Sequence, residues 1–519
     1  MKKAFAIMLT AAMILSVLLS GCGNKDTAEA GETAAAEAET SEVAAGKDTL
    51  TIAYTTEPDS LYCFGTTKNM AEKMCANIYA TLLKFDNNYQ IVPYVAKSWE
   101  LADDDVTYTF HLRDDVYFHD GKHMTSADVV YSLQAAKSSA YSSYFLEYAD
   151  TITALDEYTV QIHLSSPYGA FLNMLCEPFL GIINEDSYNE LGDKFAQCPV
   201  GSGPYKVVSW DAGSKLTLEA FDQFFEGEAP IKNVVVKFIP DPSTQLISLE
   251  NGEVDVADSI ATNNITSVED DSKLAISKTA SAKYNYMGFN NQSELFKNQK
   301  LRQAINYAIN TDAIIMIAQD GIADHALCTI SDQAFGYPRD MQGYSYDVAK
   351  AQELLNESGL ENVQFDIICS NEVSKKVGEA IQSDLGKIGI TVSISMLESG
   401  GYYDALGKSS FDAFIGSWSD SLMDAASVVG MRYGSSYVGD PGNYIWLMDK
   451  NVDDLIKAGE VQTDSKQRAA TYAELFQYVH DQAFEVPLFY SISNLGYAKD
   501  LKGVQALTTG IYYYNNWSW

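Results

Sequence analysis

The chain has 519 residues, with 35 Lys and Arg against 70 Asp and Glu, a formal charge of −35 and 46% hydrophobic residues. A field of that sign excludes nucleic acid and anionic membrane surfaces as direct partners, and it is compatible with cationic ligands. The length exceeds the ~250–300 residues that one core usually supports, so two or three domains are expected.

Residues 1–21 read as an export signal. Lys2 and Lys3 form a basic tip, Ala4 to Leu19 an apolar middle, and Ser20-Gly21 a small-residue end. The apolar run is shorter than the ~20 residues of a membrane-spanning helix. Leu19-Ser20-Gly21-Cys22 resembles a bacterial lipoprotein signal. The resemblance implies cleavage before Cys22, a lipid anchor on its thiol, and work on the outer face of the cytoplasmic membrane, at the cell surface or in a periplasm. An ordinary secretory signal followed by a chance cysteine is the alternative. Residues 23–47 are rich in Ala, Glu and Thr and contain no aromatic residue. Such a segment buries too little apolar surface to offset its chain entropy, so 22–47 is expected to be a disordered acidic tether.

Along the body, 48–519, Tyr108, Phe110 and Leu112 alternate with polar residues, as do Val160, Ile162 and Leu164; both runs predict half-buried strands. Thr125 and Asp128 have capping-box spacing ahead of a helix carrying Val129, Val130 and Leu133. Leu301, Ala304, Ile305 and Ala308 share a helical face. Asp347 caps a further helix that stops at Gly359. Strands at 365–369, 390–396 and 411–416, separated by a helix over 373–388, predict an α/β domain with a largely parallel sheet. Cys63, Cys75, Cys176, Cys198, Cys328 and Cys369 include no C-x-x-C pair and are expected to be buried free thiols.

At this point the chain resembles a family. Ala96 to Leu133, with Trp99, Tyr108-Thr109-Phe110, Leu112-Arg113, Phe118-His119-Asp120-Gly121 and Thr125 before Asp128-Val129, is similar to the signature of the extracytoplasmic solute-binding proteins of peptide-type ABC importers, family 5. Further matches follow in order: Asn77-Ile78-Tyr79, Pro199 to Tyr205, Asn251 to Asp255, Tyr286 to Asn290, and Leu301 to Ile309. Gly121 reads as a turn glycine, and Gly201 and Gly203 as positions of positive φ or close approach.

The resemblance implies an α/β fold of the large class II type: a two-lobed, periplasmic-binding-protein-like clam with a third, inserted domain. It implies a first lobe of 48–90, 200–295 and 492–519, an inserted domain of 91–199, and a second lobe of 296–491. It also implies a monomer that binds solute, closes, and docks on a membrane permease driven by cytoplasmic ATPases, with no cofactor and no enzymatic chemistry.

The chemistry-bearing residues fit that expectation. No H-E-x-x-H, G-x-S-x-G or Walker-type loop is present. His119 and His123 have the spacing of a helical metal pair but flank a turn, so no metal site is expected there. A peptide receptor needs a carboxylate for the ligand's ammonium and often a cation for its carboxylate. Relatives carry the ammonium-binding aspartate shortly after a tryptophan, and Trp418-Ser419-Asp420 occupies that place one residue short, without the usual Asp-Pro; Asp424 is the fallback. Both acids could instead cap the next helix. Of five arginines, Arg113 and Arg302 fall in signature motifs and Arg468 on a helix that reads as exposed. Arg339 and Arg432 remain as candidate carboxylate clamps, with plain surface placement as the alternative. Gly430 to Tyr437 reads as an aromatic cleft wall containing Tyr433, and Trp418 and Trp446 as stacking platforms. The expected solute is a small oligopeptide. An oligosaccharide, a nickel complex, or a sensing or adhesive role without transport stay open as alternatives.

Overall fold

Two long strands, Leu274–Phe289 and Glu485–Ala498, organise the molecule. The computed structural model describes residues 47–439 and 442–519, and from Lys47 onward the chain is one compact unit. The signal, Cys22 and the tether up to residue 46 lie outside the described residues. No helix among the described residues is long and apolar enough to cross a membrane.

The long strands pair antiparallel in two stretches. Leu274 to Ala280 lie opposite Ala498 to Ile492, and Tyr284 to Gly288 lie opposite Tyr490 to Glu485, with a register shift between. On one side of that break the sheet continues through Val256–Ala257, Thr49–Tyr54, Asn233–Phe238, Lys215–Ala220 and Tyr205–Asp211. On the other it continues through Ala413–Ser419, Gln364–Cys369 and Thr391–Met396. The ladders among these last three strands are parallel, as the strand–helix alternation predicts. One eleven-stranded sheet therefore runs through both halves of the molecule, and the break at Ser281–Lys283 is where it crosses.

A separate four-stranded antiparallel sheet holds Ala96–Leu101, Thr107–Leu112, Thr159–Leu164 and Ala149–Asp156. Tyr108, Phe110, Leu112, Val160, Ile162 and Leu164 all face its core, so the alternation read from the sequence is the burial pattern. Helix Ser126–Ser138 packs on it, opened by the Thr125/Asp128 capping box. The helices Val348–Glu357, capped by Asp347, and Glu372–Gly386 also lie where the periodicity places them.

The signature glycines act through backbone fit. Gly121 has φ +82° in a turn. A Cβ on Gly201 would stand 2.1 Å from the Ile78 carbonyl oxygen, and one on Gly203 2.6 Å from its carbon. His119 locks this crossing: its Nδ1 accepts from the Gly201 N–H at 3.2 Å and its Nε2 lies 3.1 Å from the Gly203 carbonyl. Burial pulls the His119 pKa down to about 4. His123 instead lies 2.8 Å from the Asp114 carbonyl, so the two rings serve different loops. The six described cysteines are unpaired, all buried except Cys198.

Candidate ligand-binding cleft

The break in the crossing strands forms one wall of a cavity of about 330 Å³. Its lining comes from the helix Asn69–Ile78, the crossing residues Ser281–Lys283, the turn Ser419–Ser421, Ser491–Ser493 and Thr508–Gly510. Hydroxyls dominate the wall. The charged members are Glu72, Asp420 and Lys283.

Asp420 follows directly on strand Ala413–Ser419, where the chain turns toward helix Ala425–Tyr433. Its Oδ1 accepts from the Leu422 N–H at 3.0 Å and the Ser427 hydroxyl at 3.1 Å. Its Oδ2 has no partner among the described residues, although the residue is only 4% exposed. Burial pushes the Asp420 pKa up to about 7, with the Asp424 charge adding to the rise. Glu72, in the first turn of its helix and 9% exposed, leaves Oε1 unpartnered in the same way. Burial pushes it too up to about 7.

Glu177, 1% exposed, completes the group. It accepts from the Phe179 N–H at 3.3 Å through Oε1 and from the Ser421 hydroxyl at 3.3 Å through Oε2. Burial raises its pKa well above the carboxylate range, and the charges of Glu72 and Asp420 push the same way. Lys283 lines the cavity and forms no ion pair among the described residues. Its ammonium is partly desolvated, which pulls its pKa down.

Backbone is on offer beside these groups. Strand Ala413–Ser419 pairs with Lys283–Phe289 along its length, but Gln364–Cys369 covers its other edge only at Ala413 and Phe414. The edge from Gly416 to Ser419 has no strand partner among the described residues. An extended ligand can add there as a strand.

The remaining expected site residues have other work. Asp424 is the N-cap of helix Ala425–Tyr433, accepting from the Ala426 N–H at 2.9 Å, and it is ion-paired with Arg468. Arg468 is therefore buried, contrary to the exposed helix face expected for it, because its charge is matched inside. Arg432 is 0% exposed and cannot clamp a ligand. Its Nη2 donates to Glu485 at 2.6 Å, its Nη1 to the Tyr286 hydroxyl at 2.6 Å, and its Nε to Thr329 at 3.3 Å. Tyr433 is buried in the same network, donating to Glu485 at 2.7 Å. The expected cleft-wall loop is thus largely helix and core.

Trp446 is half-buried and donates its indole N–H to the Leu406 carbonyl at 2.8 Å, away from the cavity lining. Trp418 is half-buried, 5.6 Å from the Arg432 guanidinium carbon. Arg339 is exposed and lines a separate cavity of about 950 Å³, with Tyr89, Asn173 and Tyr337 on its walls. Glu72 and Lys283, which line the cavity, and Glu177, buried behind it, are residues that the sequence reading missed. Glu177 left a trace: it is a lone charge within the apolar run Phe171 to Ile183, which requires a buried polar environment.

Near this region the segment 144–173 meets the segment 422–460. Asn173 Nδ2 donates to the Leu422 carbonyl at 3.1 Å, the Tyr144 hydroxyl to the Ser427 carbonyl at 2.8 Å, and the Gly169 N–H to the Glu460 carbonyl at 2.8 Å. Paired crossing strands, a separate four-stranded sheet and a polar cavity at the crossing define a class: a periplasmic-binding-type α/β solute receptor.

Comparison with known proteins narrows that class. Residues 90–440 match the model of the bacterial extracellular solute-binding proteins, family 5 Middle. The oligopeptide-binding protein AppA of Bacillus subtilis (strain 168) is 27% identical, over 97% of this chain and 96% of its own length. The glutathione-binding protein GsiB of Pectobacterium atrosepticum is 30% identical over 72% of this chain and 73% of its own. The periplasmic binding protein DppA of Helicobacter pylori, solved with the peptide STSA, superposes with a TM-score of 0.76 at 28% identity, covering 90% of this chain and 97% of that one. The chain belongs to the family 5 bacterial extracellular solute-binding proteins, a family of binding proteins rather than enzymes.

Proposed function

We propose that this protein is the receptor of an ABC importer and captures short peptides in the cavity at the crossing strands. The observation that carries the reading is the pair of buried, unpartnered carboxylate oxygens, Asp420 Oδ2 and Glu72 Oε1, beside the free strand edge Gly416–Ser419. A ligand ammonium satisfies the first feature, and a peptide backbone satisfies the second. Lys283, on the same cavity, is the cation for the far carboxylate. The names of AppA and of the peptide-bound DppA support the same solute class. An oligosaccharide has less to rest on, because no aromatic ring among the described residues lines this cavity.

Closure follows from the placement of these groups. Glu72 comes from the first lobe and Asp420 from the second, so a ligand touching both stabilises the closed state. We assign the first lobe to 48–90, 200–295 and 492–519, the inserted domain to 91–199 and the second lobe to 296–491. Lipidated Cys22 and its acidic tether hold this monomer on the outer face of the membrane, where it hands its solute to permease and ATPase subunits.

The test is to denature the purified protein and identify by mass spectrometry what it releases. Short peptides support the reading, and a glycan or a metal complex overturns the substrate assignment. If nothing is released, a thermal-shift screen decides: a ligand bound only by the native state at 100 times its Kd adds about 2.7 kcal/mol.

A further inference from the structure

Three buried carboxylates from three separate parts of the chain cluster about Ser421; Glu72 and Asp420 line the cavity, and Glu177 lies behind them. Glu72 stands on helix Asn69–Ile78, Glu177 precedes the short helix at Pro178–Leu180, and Asp420 follows strand Ala413–Ser419. Each is at least nine-tenths buried. Ser421 links them, donating to Glu177 and lying within hydrogen-bond reach of Glu72.

No basic side chain among the described residues is ion-paired with any of the three. Lys73, next along from Glu72, spends its ammonium on Asp258 at 3.1 Å and lies over the ring of Tyr54. The six oxygens are unequally served. Asp420 Oδ1 and both Glu177 oxygens accept from the protein, whereas Asp420 Oδ2 and Glu72 Oε1 are buried and accept from nothing described.

A peptide needs one carboxylate for its α-ammonium, and this nest has three. One ammonium on Asp420 Oδ2 would leave Glu72 Oε1 buried without a hydrogen-bond donor, which a low-dielectric site disfavours. Among the described residues no three acid, His or Cys side chains come close enough to hold one metal ion, so a compact metal cation does not fit. An organic ligand with two separated positive charges does.

We propose that Asp420 and Glu72, with Glu177 behind them, bind two cationic groups of one ligand, so that the receptor selects peptides whose first residue is basic. The α-ammonium lies on Asp420, and the side-chain cation of Lys, Arg or ornithine lies on Glu72. This rests on the peptide reading above and goes beyond it by naming the ligand's first side chain. Because the three acids come from elements that close on one another, the second charge also favours the closed state.

The experiment is calorimetric titration of the purified full chain with Ala-Ala, Lys-Ala, Ala-Lys and 1,5-diaminopentane at pH 7.5. Lys-Ala should bind roughly tenfold or more tighter than Ala-Ala and Ala-Lys, a modest return for a desolvated charge pair. In Glu72→Gln the ratio of Lys-Ala to Ala-Ala affinity should collapse toward one. Glu177→Gln is the second variant should the first fail to fold. Equal affinities for Lys-Ala and Ala-Ala in the unmodified protein, or a ratio unmoved in both variants, overturn the proposal while the peptide reading stands. If no dipeptide binds, the peptide reading falls, and diaminopentane then decides the nest: saturable binding sustains it, and no binding overturns it too.

Discussion

Arg432 and Glu485 form a 2.6 Å ion pair with both side chains sealed from solvent, and Tyr286, Tyr284 and Tyr433 complete their hydrogen bonds. Glu485 opens the second crossing strand and Arg432 lies near the end of helix Ala425–Tyr433, so the pair ties that helix to the strand bridging the lobes. Removing one partner strands a buried charge. Arg432→Ala should therefore lower unfolding stability by about 3–5 kcal/mol. Denaturant unfolding would register it, and ligand affinity per folded molecule should change little.

Asp420 and Glu72 make stability and binding depend on pH in opposite senses. Their pKa values, pushed up to about 7, stand above the ordinary carboxylate range near 4. The folded protein thus holds protons that the unfolded chain releases, so its stability falls as pH rises toward and through 7. His119, pulled down to about 4, opposes this only below its unfolded value near 6.5. Between pH 6.5 and 8 the buried acids, Glu177 included, lower stability as pH rises, and toward pH 8 the buried thiols pull the same way. The melting temperature of the ligand-free protein should drop over that range, and Asp420→Asn should flatten the slope.

A cationic ligand must displace those protons. Its affinity should rise from pH 6 to 8, with protons released on binding, because the ligand's charge lowers the same two pKa values. Titrations in buffers of different ionisation heat would count the protons. A pH-independent affinity with no proton release would remove the carboxylates from the site.

Lys283→Ala tests the other end of the ligand. Loss of a charge-assisted hydrogen bond to the terminal carboxylate should weaken dipeptide binding by about 1.5–3 kcal/mol, roughly 10- to 100-fold. A dipeptide amide, which lacks that carboxylate, should bind both proteins alike. Equal losses for acid and amide would make Lys283 structural.

Gly203→Ala should destabilise without altering specificity. The new methyl meets the Ile78 carbonyl carbon at 2.6 Å and the Asn77 and Ile78 oxygens at 2.8 Å, all backbone that cannot swing aside. Overpacking of this kind costs about 1–3 kcal/mol. The denaturation midpoint should fall while the order of ligand affinities stays fixed.

What the sequence makes legible is local. The alternation at Tyr108 to Leu112, the Thr125/Asp128 box and the Asp347 cap act within a few residues, and each is where its pattern places it. Asp420, which lines the cavity, stands out in the sequence because it follows Trp418 in a recognisable frame. The rest of the cleft is assembled by contacts between distant segments. Glu72 looks like any first-turn acid on a helix, and Lys283 like any polar position in an alternating strand. Arg432 misled in the same way. Its neighbours Gly430 and Tyr433 read as a loop, and its partner Glu485 lies 53 positions away, so nothing nearby announces a buried pair.

The interruption at Ser281–Lys283 has a mechanical sequel. Three residues there, Ser281 to Lys283, have no ladder partner on the opposing long strand, so swinging one half of the sheet against the other would concentrate torsion in them, and the same residues line the cavity. A solute seated there acts as a gauge block at the fulcrum, where a small misfit becomes a large gap at the rim. Ligand length is thereby converted into lobe angle, and a partner that grips only the fully shut form would proofread the cargo without ever contacting it.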